Sequence, residues 1–396
     1  MFGRNQCIVI ALAGLMGQAL ITGCGSSADQ PSVAEAAAPE DGGAGRSPDG
    51  ASVVDGSGTC MQTTSIKSCG ASCAPCVAPS NAESTCDGTS CGFTCHAGFT
   101  PSAGACIVLA DASTGPGVLM FGGSGGSIDF GDTWRWNGAT WTQLSSTGPA
   151  RVCQSMAVLG ASAVIFGGEA SSIIGDTWLW DGTSWGRLSL ANPPPHARTL
   201  AAMASIGGKI LLYGGEYSSN FGDTWQFDGM NWSAITTAGA GPRHGHAMAT
   251  LGTKIILFGG TTSELGGSSS GRLGDTWQWD GASWSQLVVA GPSARIGHTM
   301  ATLGSKIVLF GGIDSAGARL ADTWEWNGVS WNERVVAGPS PRDGHAMAAL
   351  EDKLVLFGGG VSVGQLGDTW TWNGTSWTQV SSTGPSARSG HSMSTF

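Results

Sequence analysis

The sequence predicts an all-β fold, a six-bladed propeller, from two signatures that repeat together. An aromatic residue followed by Gly-Gly recurs at Phe121, Phe166, Tyr213, Phe258, Phe310 and Phe357, spaced 45, 47, 45, 52 and 47 residues. Asp-Thr-Trp follows each, starting at Asp132, Asp176, Asp223, Asp275, Asp322 and Asp368. Periods of about 40 to 50 residues with several strands each are those of propeller blades.

Each element of the repeat has its own reason. The run before the Gly pair, such as Ile255-Ile256-Leu257-Phe258, is apolar on both faces, as a central blade strand must be. The strand opened by Asp-Thr-Trp carries a second aromatic two residues after its Trp, so both rings share one face. Asn-Gly or Asp-Gly comes next, at Asn137-Gly138, Asp181-Gly182, Asp228-Gly229, Asp280-Gly281, Asn327-Gly328 and Asn373-Gly374. These pairs suit the positive φ of tight hairpin turns. A further Trp stands three residues after each of these Gly and marks the next strand. A fourth strand begins after an Arg, as in Arg295-Ile-Gly-His298-Thr-Met300.

All 17 Trp lie within the repeats, three per copy except where Phe227 takes the second place in the third, so they read as architecture. Each could contribute roughly 4 to 6 kcal/mol of gross burial before chain entropy is subtracted. The Arg that recurs at Arg151, Arg198, Arg243, Arg295, Arg342 and Arg388 is expected to be structural, bonding the six Asp of Asp-Thr-Trp or loop carbonyls. Arg388 to Met393 has no partner strand after it, and Val118 to Phe121 has none before it. Pairing the two would close the ring and hide two edges. The rival is that residues 106–110 supply the missing inner strand.

The segment before the repeats divides in three. Residues 1–23 read as a signal: one Arg, then an uncharged apolar stretch from Cys7 to Ile21, too short to span a bilayer. It ends Ile21-Thr22-Gly23-Cys24, which resembles a bacterial lipoprotein signal and implies lipidation at Cys24. Gly25 after the Cys favours the outer membrane. Residues 24–58, rich in Ala, Gly, Ser, Pro and Asp, read as a flexible linker. Residues 59–107 hold Cys60, Cys69, Cys73, Cys76, Cys86, Cys91, Cys95 and Cys106, a density that an exported segment uses for disulfides. Their connectivity stays open, and the close spacings at Cys73, Cys76, Cys91, Cys95 and His96 leave zinc as an alternative. The stretch from Cys91 to Phe99 is loosely similar to the end of an epidermal-growth-factor-like module.

Residues 118–396, with strands leading to Gly-Gly, to Asp, to Trp and from Arg, resemble the kelch-repeat family. The aromatic pair departs from that family's usual spacing, with four residues between Trp136 and Trp141. Kelch propellers are mostly interaction domains with a few enzymes among them, so the resemblance implies fold more than chemistry.

Composition and motifs narrow the function. Charged residues are only 12% against about 25% in ordinary domains, and the net charge is -10 with few Lys. A nucleic-acid binder needs a basic face, so that class is disfavoured. A kelch copper oxidase would need a Tyr radical site with a cross-linked Cys, and the propeller offers only Tyr213, Tyr217 and Cys153. His246, His298, His345 and His391 occupy one matched slot that Gln154 and Ala201 fill in the other copies, which favours a structural role over a metal ring. No nucleophile triad or phosphate loop appears. No cofactor, metal or catalytic residue is assigned.

Length varies between Gly-Gly and Asp-Thr-Trp, whereas the Asn-Gly and Asp-Gly turns keep theirs. The variable loops, together with those entering each inner strand, share one face, and binding residues concentrate on such loops. The expected ligand face comprises Asp129, Phe130, Glu169, Glu216, Tyr217, Phe221, Glu264, Arg272, Asp314 and Arg319. Its acids favour a cationic or hydroxyl-rich partner, a protein or a carbohydrate. The main reading is an exported, lipid-anchored, non-catalytic binding propeller. The alternatives are a carbohydrate enzyme of sugar-isomerase type, with Glu169 or Glu216 beside Arg272 as acid and base, and a purely structural envelope protein.

Overall fold

The computed structural model describes residues 115–190, 192–264, 271–380 and 383–396, with the backbone of four strands nearer the N-terminus. Two compact units are separated, Ala13–Asp111 and Ala112–Phe396. In the first, Ala82–Cys86 pairs antiparallel with Cys91–Cys95, and Phe99–Ser102 with Ala105–Val108. The signal at 1–23, the lipidation site Cys24 and the linker at 24–58 lie outside the described residues. So do the side chains of the eight Cys expected to form disulfides.

The second unit is six four-stranded antiparallel sheets, with no helix among the described residues. Blade 4 shows the plan: strand a is Ala247–Leu251, b is Lys254–Phe258, c is Thr276–Trp279 and d is Trp284–Leu287. Strand b is buried on both faces because it lies mid-sheet between neighbouring blades, which is why Ile255 to Phe258 carry no polar side chain. Strand d is an outer edge, and past Trp284 its side chains face water.

Blade 1 is assembled from both ends of the unit. Ser392–Thr395 serves as its strand a, paired antiparallel with Val118–Phe121 in the register Ser392 to Phe121 and Thr395 to Val118. The main chain adds reciprocal bonds between Gly117 and Phe396. The predicted closure is therefore the one found, with Ser392–Thr395 in the place that the rival gave to residues 106–110.

Asp-Thr-Trp is a three-way fastening. Each Asp accepts a bidentate bond from the Arg that opens its own blade: Arg151 to Asp176, Arg198 to Asp223, Arg243 to Asp275, Arg295 to Asp322, Arg342 to Asp368 and Arg388 to Asp132, at 2.6–2.7 Å for the shorter contact. The same guanidinium donates to the carbonyl of the first Gly of Gly-Gly, at 2.8–3.0 Å. The six Arg are at most 3 % exposed. A buried cation is tolerated here because carboxylate and carbonyl oxygens compensate it in fork geometry. Each Thr accepts from the indole Nε1 of the next blade's strand d, as in Trp284 to Thr224 and Trp141 to Thr369, which links neighbours all the way round. Each Trp returns its own Nε1–H to the Asp.

The axis is drawn together by main chain. Cys153 donates to Gly390, Gly390 to Gly344, Gly344 to Gly297, Gly297 to Gly245, Gly245 to Leu200 and Leu200 to Cys153, a closed circuit of six peptide hydrogen bonds. All six residues have positive φ, between 55 and 66°. Four are Gly, for which this conformation is free of steric cost.

Candidate functional site

The two faces of the propeller follow different rules. On one, the six c to d turns are copies of each other: the Asn or Asp Oδ1 accepts the N–H groups two and three residues on, at 2.7–2.9 Å. Main-chain bonds from Ser184 and Thr183 hold the exposed Asp181 carboxyl at about 2. This face is built by local geometry alone.

On the other face, each b to c loop is tied at its root to the segment entering strand a. The paired positions are Ser124 with Ser389, Val152 with Glu169, Thr199 with Glu216, His244 with Thr261, Ile296 with Ile313 and Asp343 with Gly360. Beyond these rungs the loops vary in length and chemistry, as the sequence predicts, although those of blades 2 and 3 share a length and the pattern Glu-x-Ser-Ser-x-x-Gly. The ten expected ligand residues fall into three sets.

Phe130 and Phe221 are drawn into the architecture. Their rings lie 4.1 Å from the Arg388 and 4.0 Å from the Arg198 guanidinium, covering the fastenings from outside. Phe221 also meets His196, an exposed imidazole set edge-on to Tyr217 at 5.0 Å.

The loops of blades 3, 4 and 5 hold charged groups at their roots. Glu216, only 2 % exposed, places its Oε2 at 2.9 Å from His244 Nδ1, and the same nitrogen lies 2.6 Å from Asn220 Oδ1. Asn220 in turn donates to the Thr262 carbonyl, joining loops of adjacent blades. Arg272 is buried beside Thr261. Burial pushes its guanidinium below the ordinary value, and the charges of Asp314 and Asp343 oppose that. Asp343 is raised by burial, against the hydrogen-bonded Arg319. Asp314 accepts the N–H groups of Ala316 and Ala318 at 2.9 Å.

Tyr217 and Glu264 stand exposed at the loop tips, and Asp129 and Glu169 are half-buried at the roots of blades 1 and 2. The arrangement thus brings Glu216 close to an imidazole, and Arg272 close to Asp314 and Asp343. His244, Asn220 and Asp343 were not foreseen. Their signal is weak in sequence, since each takes its role from a partner at least 24 residues away.

The four matched imidazoles belong to the architecture. His246, His298, His345 and His391 each stand edge-on to the strand b aromatic of the preceding blade, at 5.5–5.7 Å. Gln154 in the same slot donates to the Phe121 carbonyl at 2.9 Å. Burial, then the neighbouring Arg295 or Arg388, pushes His298 and His391 down to about 3. His246 and His345 are lowered well below the usual value, again by burial first. Among the described residues, no group of three or more His, Cys, Asp or Glu is arranged to hold a metal ion. Tyr213 keeps to its strand b slot, with its hydroxyl donating to the Gly241 carbonyl at 3.0 Å, and burial raises it to about 12. Cys153 is disulfide-bonded. The described residues therefore offer no Tyr and Cys pairing of the oxidase kind.

Comparison with known proteins agrees with the kelch resemblance. The family model described as the KLHDC2/KLHL20/DRC7 Kelch-repeats domain matches residues 95–260 and 245–396. No curated protein matches the chain.

Proposed function

Since this chain belongs to the kelch-repeat family, we propose that it is a binding protein whose propeller presents a ligand on the face of b to c loops and entering segments, without turnover. One observation carries this reading. Six turns of one geometry occupy one face, whereas six equivalent rungs on the other support loops that vary in length and side chains, those of blades 2 and 3 alone sharing a pattern. A scaffold held constant beneath variable loops is the arrangement through which repeat folds acquire partners. Protein partners are common for kelch propellers, and the exposed Tyr217, Glu264 and His196 give this face both aromatic and acidic contacts. The N-terminal pattern adds export and a lipid anchor at Cys24, which would hold the protein in the bacterial envelope, in the outer membrane or at the cell surface.

The buried pair Glu216 and His244 favours a second reading, a carbohydrate-active enzyme. A carboxylate that orients an imidazole is a common basis for proton transfer. A screen of the full chain against protein and glycan arrays tests the first reading. Binding should survive alteration of the turns at Asn137-Gly138 and Asp280-Gly281, and fall when Glu169, Glu216 and Glu264 become Gln together. Loss of binding only in the turn variant overturns the face assignment. Conversion of an array sugar by wild type, abolished by His244→Ala, would establish the enzyme instead.

A further inference from the structure

The axial channel carries a different chemistry toward the a to b turns. One position of strand a is methionine in all six blades: Met156, Met203, Met248, Met300, Met347 and Met393. All six line a single cavity of about 310 Å³, and each remains 6–8 % exposed. The other lining groups are Ala, Ser and Thr, so no described lining residue is ionisable.

Packing explains an apolar residue at this position but not a thioether. Each Met contributes to a cluster between blades, as Met300 does with Ala249, Ile256 and Phe258. Strand b fills comparable space with Val, Ile or Leu in different copies. The slot two residues before the Met also drifts, from His to Gln154 and Ala201, yet the Met does not. The main chain around it is fixed on both sides. Three residues before each Met lies the peptide circuit on the axis. Two residues after it, hydroxyls bond the neighbouring strand a: Thr250 to the Ser205 carbonyl at 2.7 Å, Thr302 to Thr250 and Thr395 to Ala349 at 2.6 Å, and Ser205 to Val158. The Met backbones are thus held on a narrow circle, each unbranched side chain packed between two blades with its edge on the cavity.

We propose that this end of the channel binds a soft monovalent cation, of the Cu(I) or Ag(I) kind, through thioether sulfurs from several blades. Thioethers are soft donors that select such ions over Zn(II), Mg(II) or Ca(II). A wall without carboxylate or imidazole gives a divalent ion no charge compensation, and burying it would be unfavourable. The hydroxyl layer supplies oxygen dipoles at the mouth. The site lies among strand a residues, apart from the loops of the proposed ligand face, so either assignment can fail without the other.

The test is titration of the full chain, labelled at its methionine methyl groups, with Ag(I), followed by NMR. Saturation near about one ion per chain is expected, with shifts confined to the channel methyls. Met230, 76 % exposed at a c to d turn, serves as the internal reference. The variant Met248→Leu, Met300→Leu, Met347→Leu keeps apolar volume and should lose affinity by roughly tenfold or more. Shifts no greater at the channel than at Met230, or wild-type affinity in the folded triple variant, overturn the proposal. If the triple variant does not fold, the methyl shifts of the wild type decide alone. Anaerobic Cu(I) should give the same pattern, whereas Zn(II) should leave the channel methyls unmoved.

Discussion

Arg388 and Asp132 lie 256 residues apart in sequence and 2.6 Å apart in space. Their bond repeats one made five times inside continuous blades, but here it fastens the two ends of the propeller unit. Arg388→Ala should destabilise by about 3 to 5 kcal/mol, because it leaves a partly buried carboxylate without its counter-charge. Arg388→Lys should recover little, since an ammonium cannot reproduce the fork to Asp132 and the Gly122 carbonyl. Urea unfolding of Arg388→Ala, Asp132→Ala and the double variant checks this. Additive losses would show that the two residues are not coupled.

The matched imidazoles predict an acid-labile propeller. His298 and His391 are held at about 3 when folded, against an ordinary imidazole value of about 6.5, so the unfolded chain binds more protons between those values. Stability is then fully present above about pH 6.5 and falls as pH drops toward 3. Each imidazole should remove about 2 kcal/mol by pH 5. Below about pH 4 the six Asp of Asp-Thr-Trp add to the loss. Burial alone would raise them, but their Arg and Trp bonds hold them low, so they too favour the unfolded state once protonated. His298→Gln copies the natural Gln154 and should flatten the stability profile between pH 7 and 5. An unchanged slope would refute the neutral imidazole.

The axial circuit should resist side chains at its Gly positions. A Cβ on Gly297 would stand 3.4 Å from that of Asp343, close but not clashing, so the cost of Gly297→Ala comes from its φ of 65°. About 1 kcal/mol of destabilisation is expected. Denaturant midpoints measure it, and a stabilised variant would contradict the left-handed assignment.

Trp284→Phe separates indole shape from indole bonding. The Phe retains an aromatic ring against Tyr213, which Trp284 meets at 5.1 Å, but loses the Nε1 bond to Thr224. The loss should be about 1 to 3 kcal/mol, from a lost hydrogen bond and a smaller ring. Adding Thr224→Val should cost less than it does alone, as a thermal double-mutant cycle would reveal.

The blades were legible because each is coded locally and six times over. Phe258-Gly-Gly, Asp275-Thr-Trp and Asp280-Gly lie within one repeat, and their copies exclude chance. The Arg to Asp bonds were legible for the same reason, as a matched pair of sixfold sets. What escaped depends on encounters between loops that share no pattern. Glu216 recurs only as Glu169 and His244 in no other copy, and nothing in their spacing announces contact. Phe130 and Phe221 read as exposed ligand aromatics because the guanidinium beneath each comes from a distant segment. The axial circuit was obscured where Cys153 and Leu200 replace Gly.

Blade 1 also sets a timetable. Val118–Phe121 is made early, yet its inner neighbour Ser392–Thr395 comes roughly 270 residues later, a delay of about 15 to 55 s at ordinary rates of synthesis. Throughout that interval the first blade has an unpaired inner edge, and no ring exists to brace the others. A nascent chain would therefore remain pliable until translation is almost complete, and a ribosome stalled before Ser392 would leave behind a sticky arc rather than a shortened propeller.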